Sequence, residues 1–444
     1  MKRKFYQHTM AVMLAMIALG LQSCLKDQTD IFDRSSSQRL QAYLDQTKAI
    51  LVSAPNGWQI DMYPVENQSI GGHAFTVKFD NEKCEVRSVI EPSRADVSYY
   101  NMTSEVGPAI SFDTYNALLH YFSDPSSQRP MAFRGDFEFV IDSLSDNLIK
   151  VHGSRTKNVM YFRRLEEPAK DYIERVAAFK TAFTQKELWS FKASENGTEY
   201  EAEINPLAQQ ITVTSGGKKT TTAIAFTDKG VRTYKPIVLG NATFNELVFD
   251  AQSQNYQARL NNSDAASYKA VQPAWMPAFH SYEGNFTLYA KHLQNGVEYD
   301  AEIDVEMKPM SDYSGYEMGG LIRDYKVKAV FDREKRVLGF LPQFIMRLEN
   351  NLTLAMFSYN KTTRHFGTDK QQINLVWDEA SQKFLFKDAK MWNEPVTGWL
   401  MVVFTPQREV YNAKVVPAAS QYLFGRAYDK LARVRCGSDR VVAA

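Results

Sequence analysis

The chain has 444 residues, with 52 basic and 51 acidic side chains and a formal charge of +1. That near-neutral balance argues against nucleic acid as a partner, because phosphate binding needs a basic surface. With three cysteines the chain lacks a disulfide framework, and its length calls for more than one core.

The N-terminus carries Met1-Lys2-Arg3-Lys4, a polar stretch, and an apolar run from Met10 to Leu21. The run is shorter than the ~20 residues a membrane-spanning helix needs, and it has the layout of a signal peptide, assigned to residues 1–23. Leu21-Gln22-Ser23-Cys24 follows, which resembles a bacterial lipobox. Cleavage before Cys24 would leave a thiol for lipid attachment, and a multiply acylated cysteine is a lasting anchor. Loss of the leader removes Lys2, Arg3 and Lys4, leaving 49 basic against 51 acidic residues and a charge of −2.

Residues 24–34 read as a tether. Ser35 and Gln38 then have capping-box spacing, and Leu40, Tyr43, Leu44, Thr47, Ile50 and Leu51 share one helical face. Ala54-Pro55-Asn56-Gly57 ends that helix. Trp58, Ile60 and Met62 alternate with polar residues, the period of a half-buried strand. Phe75 to Val86 reads as a hairpin turning at Asp80-Asn81-Glu82-Lys83, and Cys84 within it is expected as a buried free thiol. Phe112, Tyr115, Leu118, Leu119 and Phe122 are spaced for a short helix stopped by Asp124-Pro125. Phe137 to Ile141, a return run from Leu148, and Asn158 to Leu165 follow as strands.

Pro168 opens a second helix over about 169–184, with Tyr172, Ile173, Val176, Phe179 and Phe183 as its stripe. The remainder reads as strand after strand, including Gln210–Thr214, Tyr325–Phe331, Asn351–Tyr359, Ile373–Trp377, Lys383–Lys387 and Trp399–Thr405. The 27 Phe, 23 Tyr and 6 Trp suit pleated surfaces. The expected fold is therefore mainly β (α+β), with antiparallel sheets in sandwich or barrel-like units. The expected segments are an N-terminal α+β domain over 35–186, a β-unit over 187–275, a C-terminal β domain over 276–435 and a loose tail over 436–444. An internal echo supports related β-units. Asn196-Gly197-Thr198-Glu199-Tyr200-Glu201-Ala202-Glu203-Ile204-Asn205 matches Asn295-Gly296-Val297-Glu298-Tyr299-Asp300-Ala301-Glu302-Ile303-Asp304 at an offset of 99, and both open with a strong hairpin signal.

Few motifs carry chemistry. No His-Glu-x-x-His or Gly-x-Ser-x-Gly occurs, and the six histidines after the leader are scattered. No cofactor is indicated. Ser215-Gly216-Gly217-Lys218 reads as a hairpin turn rather than a phosphate loop. Asp300, Glu302, Asp304 and Glu306 share one strand face and read as a solvated outer surface rather than a calcium site, whose ligands come at loop spacing. Candidate ligand-stacking side chains are Tyr99, Tyr100, Tyr313, Tyr316, Trp392 and Trp399, since loops carry binding functions disproportionately.

The segments Asp30-Ile31-Phe32-Asp33, Ser35, Arg39-Leu40, Ala54-Pro55-Asn56-Gly57-Trp58 with Met62-Tyr63-Pro64, Ser111-Phe112-Asp113-Thr114-Tyr115, Asp124-Pro125 and Gly135-Asp136-Phe137-Glu138-Phe139 are similar to an uncharacterised family of Bacteroidetes outer-membrane lipoproteins. The resemblance covers roughly residues 24–190. It implies an outer-membrane, lipid-anchored protein, on the cell surface rather than the periplasmic face. It further implies an accessory ligand- or partner-binding role in nutrient uptake beside a TonB-dependent transporter and its companion lipoproteins. It supplies no catalytic residues. A surface hydrolase acting on glycans or peptides and a structural or adhesive surface protein are the alternative expectations.

Overall fold

The computed structural model describes residues 35–405 and 425–433, apart from 106, 128, 295–296, 323–324, 349–350, 361, 368 and 370. Cys24, the tether and Cys436 lie outside the described residues. The chain is mainly β, with antiparallel sheets and, among the described residues, three α-helices, and it divides into two compact units at Val271/Gln272.

The first unit opens with helix α1 (Ser36–Val52). Its N-terminus is the expected capping box: the Ser35 hydroxyl accepts from the Gln38 amide while the Gln38 side chain accepts from the Ser35 amide, satisfying two otherwise orphaned donors. Nine strands follow: β1 (Trp58–Met62), β2 (His73–Phe79), β3 (Lys83–Ser88), β4 (Asp96–Tyr99), β5 (Asn101–Thr103), β6 (Ala109–Ser111), β7 (Glu138–Leu144), β8 (Leu148–Gly153) and β9 (Val159–Arg164). They form one sheet ordered β4-β3-β2-β1-β9-β8-β7-β6-β5. Its two edges are consecutive in sequence, joined through Tyr100 alone, so the sheet curls into a half-barrel around Trp58, Phe75, Phe112, Phe139 and Phe162. Leu51 of α1 packs into the same core, and its carbonyl accepts a 2.9 Å bond from the Trp58 indole.

Two local expectations change in the structure. The helix expected over Phe112–Phe122 is extended or looped, and only His120–Phe122 makes a single 3₁₀ turn. Phe112 still donates across the ladder to the Phe137 carbonyl at 2.8 Å. The Asn116 side chain takes the Leu118 and Leu119 amides, each at 3.2 Å, so a local side-chain bond replaces helical ones. The other change is in β1. Its alternation suggests one wet face, but Gln59 and Asp61 are buried along with Trp58, Ile60 and Met62.

Helix α2 (Ala169–Lys186) leads into an eight-stranded closed antiparallel barrel. Its strands are β10 (Ser190–Glu195), β11 (Thr198–Asn205), β12 (Gln210–Ser215), β13 (Lys218–Phe226), β14 (Gly230–Leu239), β15 (Ala242–Asp250), β16 (Asn255–Leu260) and β17 (Ser263–Val271). The Gly216-Gly217 turn, with φ of 53° and 79°, is the two-residue hairpin read from the sequence. Phe183 of α2 plugs the barrel against Phe226, Phe249 and Tyr256.

Segments 35–186 and 187–271 form one body because they are stitched together. Gly72 donates to the Ile224 carbonyl at 2.9 Å. The Gln209 amide donates to the Gly72 carbonyl at 2.9 Å and accepts from Lys180 at 2.7 Å. Ala223 and Ala225 of the barrel belong to the same apolar core as the half-barrel.

In the second unit, α3 (Met276–His280) precedes another closed barrel. Its strands are β18 (Gly284–Gln294), β19 (Val297–Pro309), β20 (Gly315–Ile322), β21 (Tyr325–Asp332), β22 (Val337–Phe340), β26 (Ile373–Asp378), β27 (Lys383–Asp388) and β29 (Gly425–Arg433). A small sheet is built from β23 (Gln343–Arg347), β24 (Thr353–Tyr359) and β25 (Phe366–Gly367), inserted between β22 and β26, and β28 (Gly398–Phe404), which follows β27. The two echoed segments give β11 and β19, each the second strand of its barrel's first hairpin. Phe279 of α3 packs against Tyr316 and Phe331, so each barrel receives a phenylalanine from the helix before it.

Candidate functional site

The aromatic candidates do not assemble. Tyr99 is 49 % exposed, with Lys83 Nζ 4.9 Å from its ring centre, whereas neighbouring Tyr100 is 5 % exposed and donates to the Asp80 carbonyl at 2.8 Å. In the second unit, Tyr316 is fully buried and donates to the Phe279 carbonyl at 2.7 Å. Trp399 is buried among Phe340 and Phe386. Tyr313, half-buried in a tight turn at φ 54°, rests on Phe279, and Trp392 is half-buried. Tyr100, Tyr316 and Trp399 are therefore core side chains, because an aromatic ring beside a sheet gains more from burial than from solvent. The Asp300, Glu302, Asp304 and Glu306 carboxylates lie on an exposed face, with Glu306 paired to Lys308 at 2.9 Å. Cys84 is a buried free thiol 3.6 Å from the Ser98 hydroxyl, and burial pushes its pKa up to about 11, which suppresses the thiolate.

The first unit contains a cleft of about 530 Å³ with a different lining, within the ~300–1,000 Å³ usual for small-molecule sites. The half-barrel contributes Asp61, Tyr63, Tyr161 and Arg163, and the barrel wall contributes Arg232, Tyr234, Asn245 and Glu246. Alternation places these groups. In the β1/β9 ladder Gln59 opposes Arg163, so Asp61, two residues on, shares the Arg163 face, opposite the apolar core. On β14, Val231 is buried inside the barrel, which turns Arg232 and Tyr234 outward.

A chain of alternating charges forms there. Asp61 Oδ2 accepts from Arg232 in a short contact and from Arg163 at 3.5 Å. Arg232 reaches Glu246 at 3.8 Å. Asp61 is 4 % exposed, and its Oδ1 has no hydrogen-bond partner among the described residues. Burial, and then the Arg232 charge, lowers the Arg163 pKa. Burial works the same way on Arg232, but Asp61, Tyr172 and Glu246 outweigh it and hold that guanidinium above its ordinary value. Two arginines sharing one carboxylate thus divide unequally. Arg232 is locked by two acids, while Arg163 keeps one, with its guanidinium 5.1 Å from the Tyr161 ring centre.

The tyrosines are fixed from behind. Tyr63 and Tyr234 pack edge to face at 4.7 Å. The Tyr234 hydroxyl accepts from the Val159 amide at 3.2 Å. The Asn158 amide donates to the Tyr63 and Val65 carbonyls, each at 2.8 Å. Burial raises the Tyr63 pKa strongly, with Asp61 adding to the effect, so its hydroxyl stays protonated. Asn147, Asn261 and Asn262 stand exposed at the mouth. The lining contains no histidine, serine or cysteine. Its surfaces suit holding a polar molecule.

Sequence reasoning missed Asp61, Arg163, Arg232 and Glu246. The available signal was a pair of arginines at the end of an otherwise apolar strand, Val159-Met160-Tyr161-Phe162-Arg163-Arg164, and an aspartate inside another, Trp58-Gln59-Ile60-Asp61-Met62.

The family model described as "Domain of unknown function (DUF4302)" matches residues 28–251, and a second described as "Domain of unknown function" (DUF4987) matches residues 261–393. Every charged group of the cleft falls in the first match. No curated protein matches the chain. A solved structure titled "H.pylori Beta clamp in complex with 5-chloroisatin" aligns at 11 % identity over 80 % of this chain and 93 % of that one. Its TM-score of 0.09 carries no argument.

Proposed function

We propose that this chain, which belongs to the family described as Domain of unknown function (DUF4302), is a lipid-anchored binding protein whose cleft captures a small polar ligand. The observation that carries the reading is the cleft floor, where Asp61, 4 % exposed and short of one hydrogen-bond partner, holds two arginines beside an open cavity. A buried ion pair contributes little to stability by itself. Fixed charges lining a cavity instead provide orientation for a ligand. Anchoring at the outer membrane, on the cell surface, and an accessory role in nutrient uptake beside a TonB-dependent transporter and its companion lipoproteins belong to the same proposal. They rest on the Leu21-Gln22-Ser23-Cys24 motif and on the family resemblance of the sequence.

Two measurements test it. Cys24→Ala is expected to move the protein from the membrane to the soluble fraction and to abolish labelling by a radioactive fatty acid; persistent labelling overturns the anchor. A thermal-shift screen of the mature chain against small polar metabolites is expected to find compounds that raise the melting temperature by about 5 °C or more at a hundredfold excess over Kd. Asn147→Trp, at the exposed mouth, should remove that rise and leave the unliganded melting temperature unchanged. Hits indifferent to Asn147→Trp, or no hits, overturn the cleft reading.

A further inference from the structure

We infer that the ligand of this cleft is an uncharged, hydroxyl-rich molecule of the sugar class. This deepens the binding reading above and rests on it.

The cleft charges cancel, with Asp61 and Glu246 against Arg163 and Arg232. A ligand with net charge of either sign meets a like charge within a few ångströms of its partner, and like-charge juxtaposition costs several kcal/mol. The hydrogen-bonding capacity left over is mixed. Glu246 is acceptor-only, and its single ion pair among the described residues is the 3.8 Å approach of Arg232. Arg163 is donor-only; its hydrogen bond to Asp61 uses one N–H of five, and its side chain is 30 % exposed. A group that satisfies both must donate and accept at once, as a hydroxyl does. The asparagines at the mouth have the same dual character without charge. Asn245 and Asn261 are braced against each other, the Asn245 amide donating to Asn261 Oδ1 and the Asn261 backbone donating to Asn245 Oδ1, both at 3.2 Å. Such bracing uses the Asn261 Oδ1 and backbone N–H and leaves its side-chain Nδ2 donors without a partner among the described residues, at the rim of the cleft. The half-buried Tyr161 and Tyr234 supply rigid apolar area at low entropic cost, suited to the C–H face of a sugar ring.

The test is calorimetric titration of the full mature chain. The uncharged probes are glucose, lactose, maltose and cellobiose. Glucuronate, glucosamine and serine are the anionic, cationic and zwitterionic counterparts. At least one uncharged sugar is expected to bind with Kd below 10 mM, and each charged counterpart at least tenfold more weakly. Glu246→Gln and Arg163→Gln should each weaken that sugar about tenfold. Glu246→Gln keeps an acceptor at a partly exposed pair, so folding is expected to survive. Tighter binding of glucuronate, glucosamine or serine than of every uncharged sugar overturns the sugar class and leaves the cleft reading standing. An affinity unmoved in both variants removes the sugar from this cleft. No binding by any of the seven probes, beside metabolite hits that Asn147→Trp abolishes, also overturns the sugar class alone. No binding in either experiment overturns both.

Discussion

Asp61→Ala is expected to destabilise the first unit by about 3–5 kcal/mol, the usual result of leaving buried charge without its partner. Asp61 is the shared acceptor of Arg163 and Arg232, and Arg232 retains only the longer contact to Glu246 afterwards. The measurement is urea unfolding of the mature chain, following the transition of the first unit. Replacing all three groups together, as Asp61→Leu with Arg163→Met and Arg232→Met, should recover most of the loss, because the desolvated charges are then gone. If Asp61→Ala costs less than 1 kcal/mol, the cluster is hydrated and does not have the buried character assigned to it. The same triple variant should bind no ligand, which separates stability from function.

Acid should unfold the first unit through His73. This side chain sits between the half-barrel and α2, its ring 4.7 Å from that of Phe122 and its Nε2 3.5 Å from the Gln209 amide. Burial, then the Lys180 charge, lowers its pKa to about 3 from an ordinary 6.5. The imidazole is therefore neutral in the folded protein down to low pH, while the unfolded chain takes up a proton as pH falls through 6.5. Between these values the unfolded state binds more protons, so stability rises with pH and is lost as pH falls. The contribution is complete above pH 6.5 and is lost at about 1.4 kcal/mol per pH unit below it, reaching about 3 kcal/mol by pH 4. His73→Gln should flatten this part of the stability profile without a titrating group. An unchanged profile in that variant would assign the acid sensitivity to other groups.

The His73 and Asp61 environments show where sequence reading reaches its limit. Alternation in Trp58-Gln59-Ile60-Asp61-Met62 correctly gives a strand and its core face, and the ladder to β2 places Met62 opposite His73. Alternation detects only one-sided burial, however. It assigns Gln59 and Asp61 to solvent because nothing local reports a second layer. The group that covers Asp61 comes from the barrel, and Arg232 is 171 residues away from Asp61 in sequence. The tyrosines misled in the opposite direction. Tyr100 and Tyr316 read as loop aromatics available to a ligand, yet each hydroxyl is spent on a backbone carbonyl, Asp80 and Phe279 respectively. An aromatic residue in sequence does not reveal whether its polar end will find an internal acceptor.

The sequence alone determined the local structure. Side-chain period 2 produced the strands, and Gly216-Gly217 and Asp80-Asn81-Glu82-Lys83 produced their turns. Ser35 and Gln38 capped the first helix, and the repeated Asn-Gly-x-Glu-Tyr pattern marked the first hairpin of each barrel. These are consequences of backbone sterics and near-neighbour hydrogen bonds, which act over a few residues. Tertiary structure decided closure of the sheets, union of the half-barrel with the first barrel, and the meeting of Asp61, Arg163, Arg232 and Glu246. Those outcomes depend on which faces exclude water together, a property of surfaces formed only after distant strands have packed.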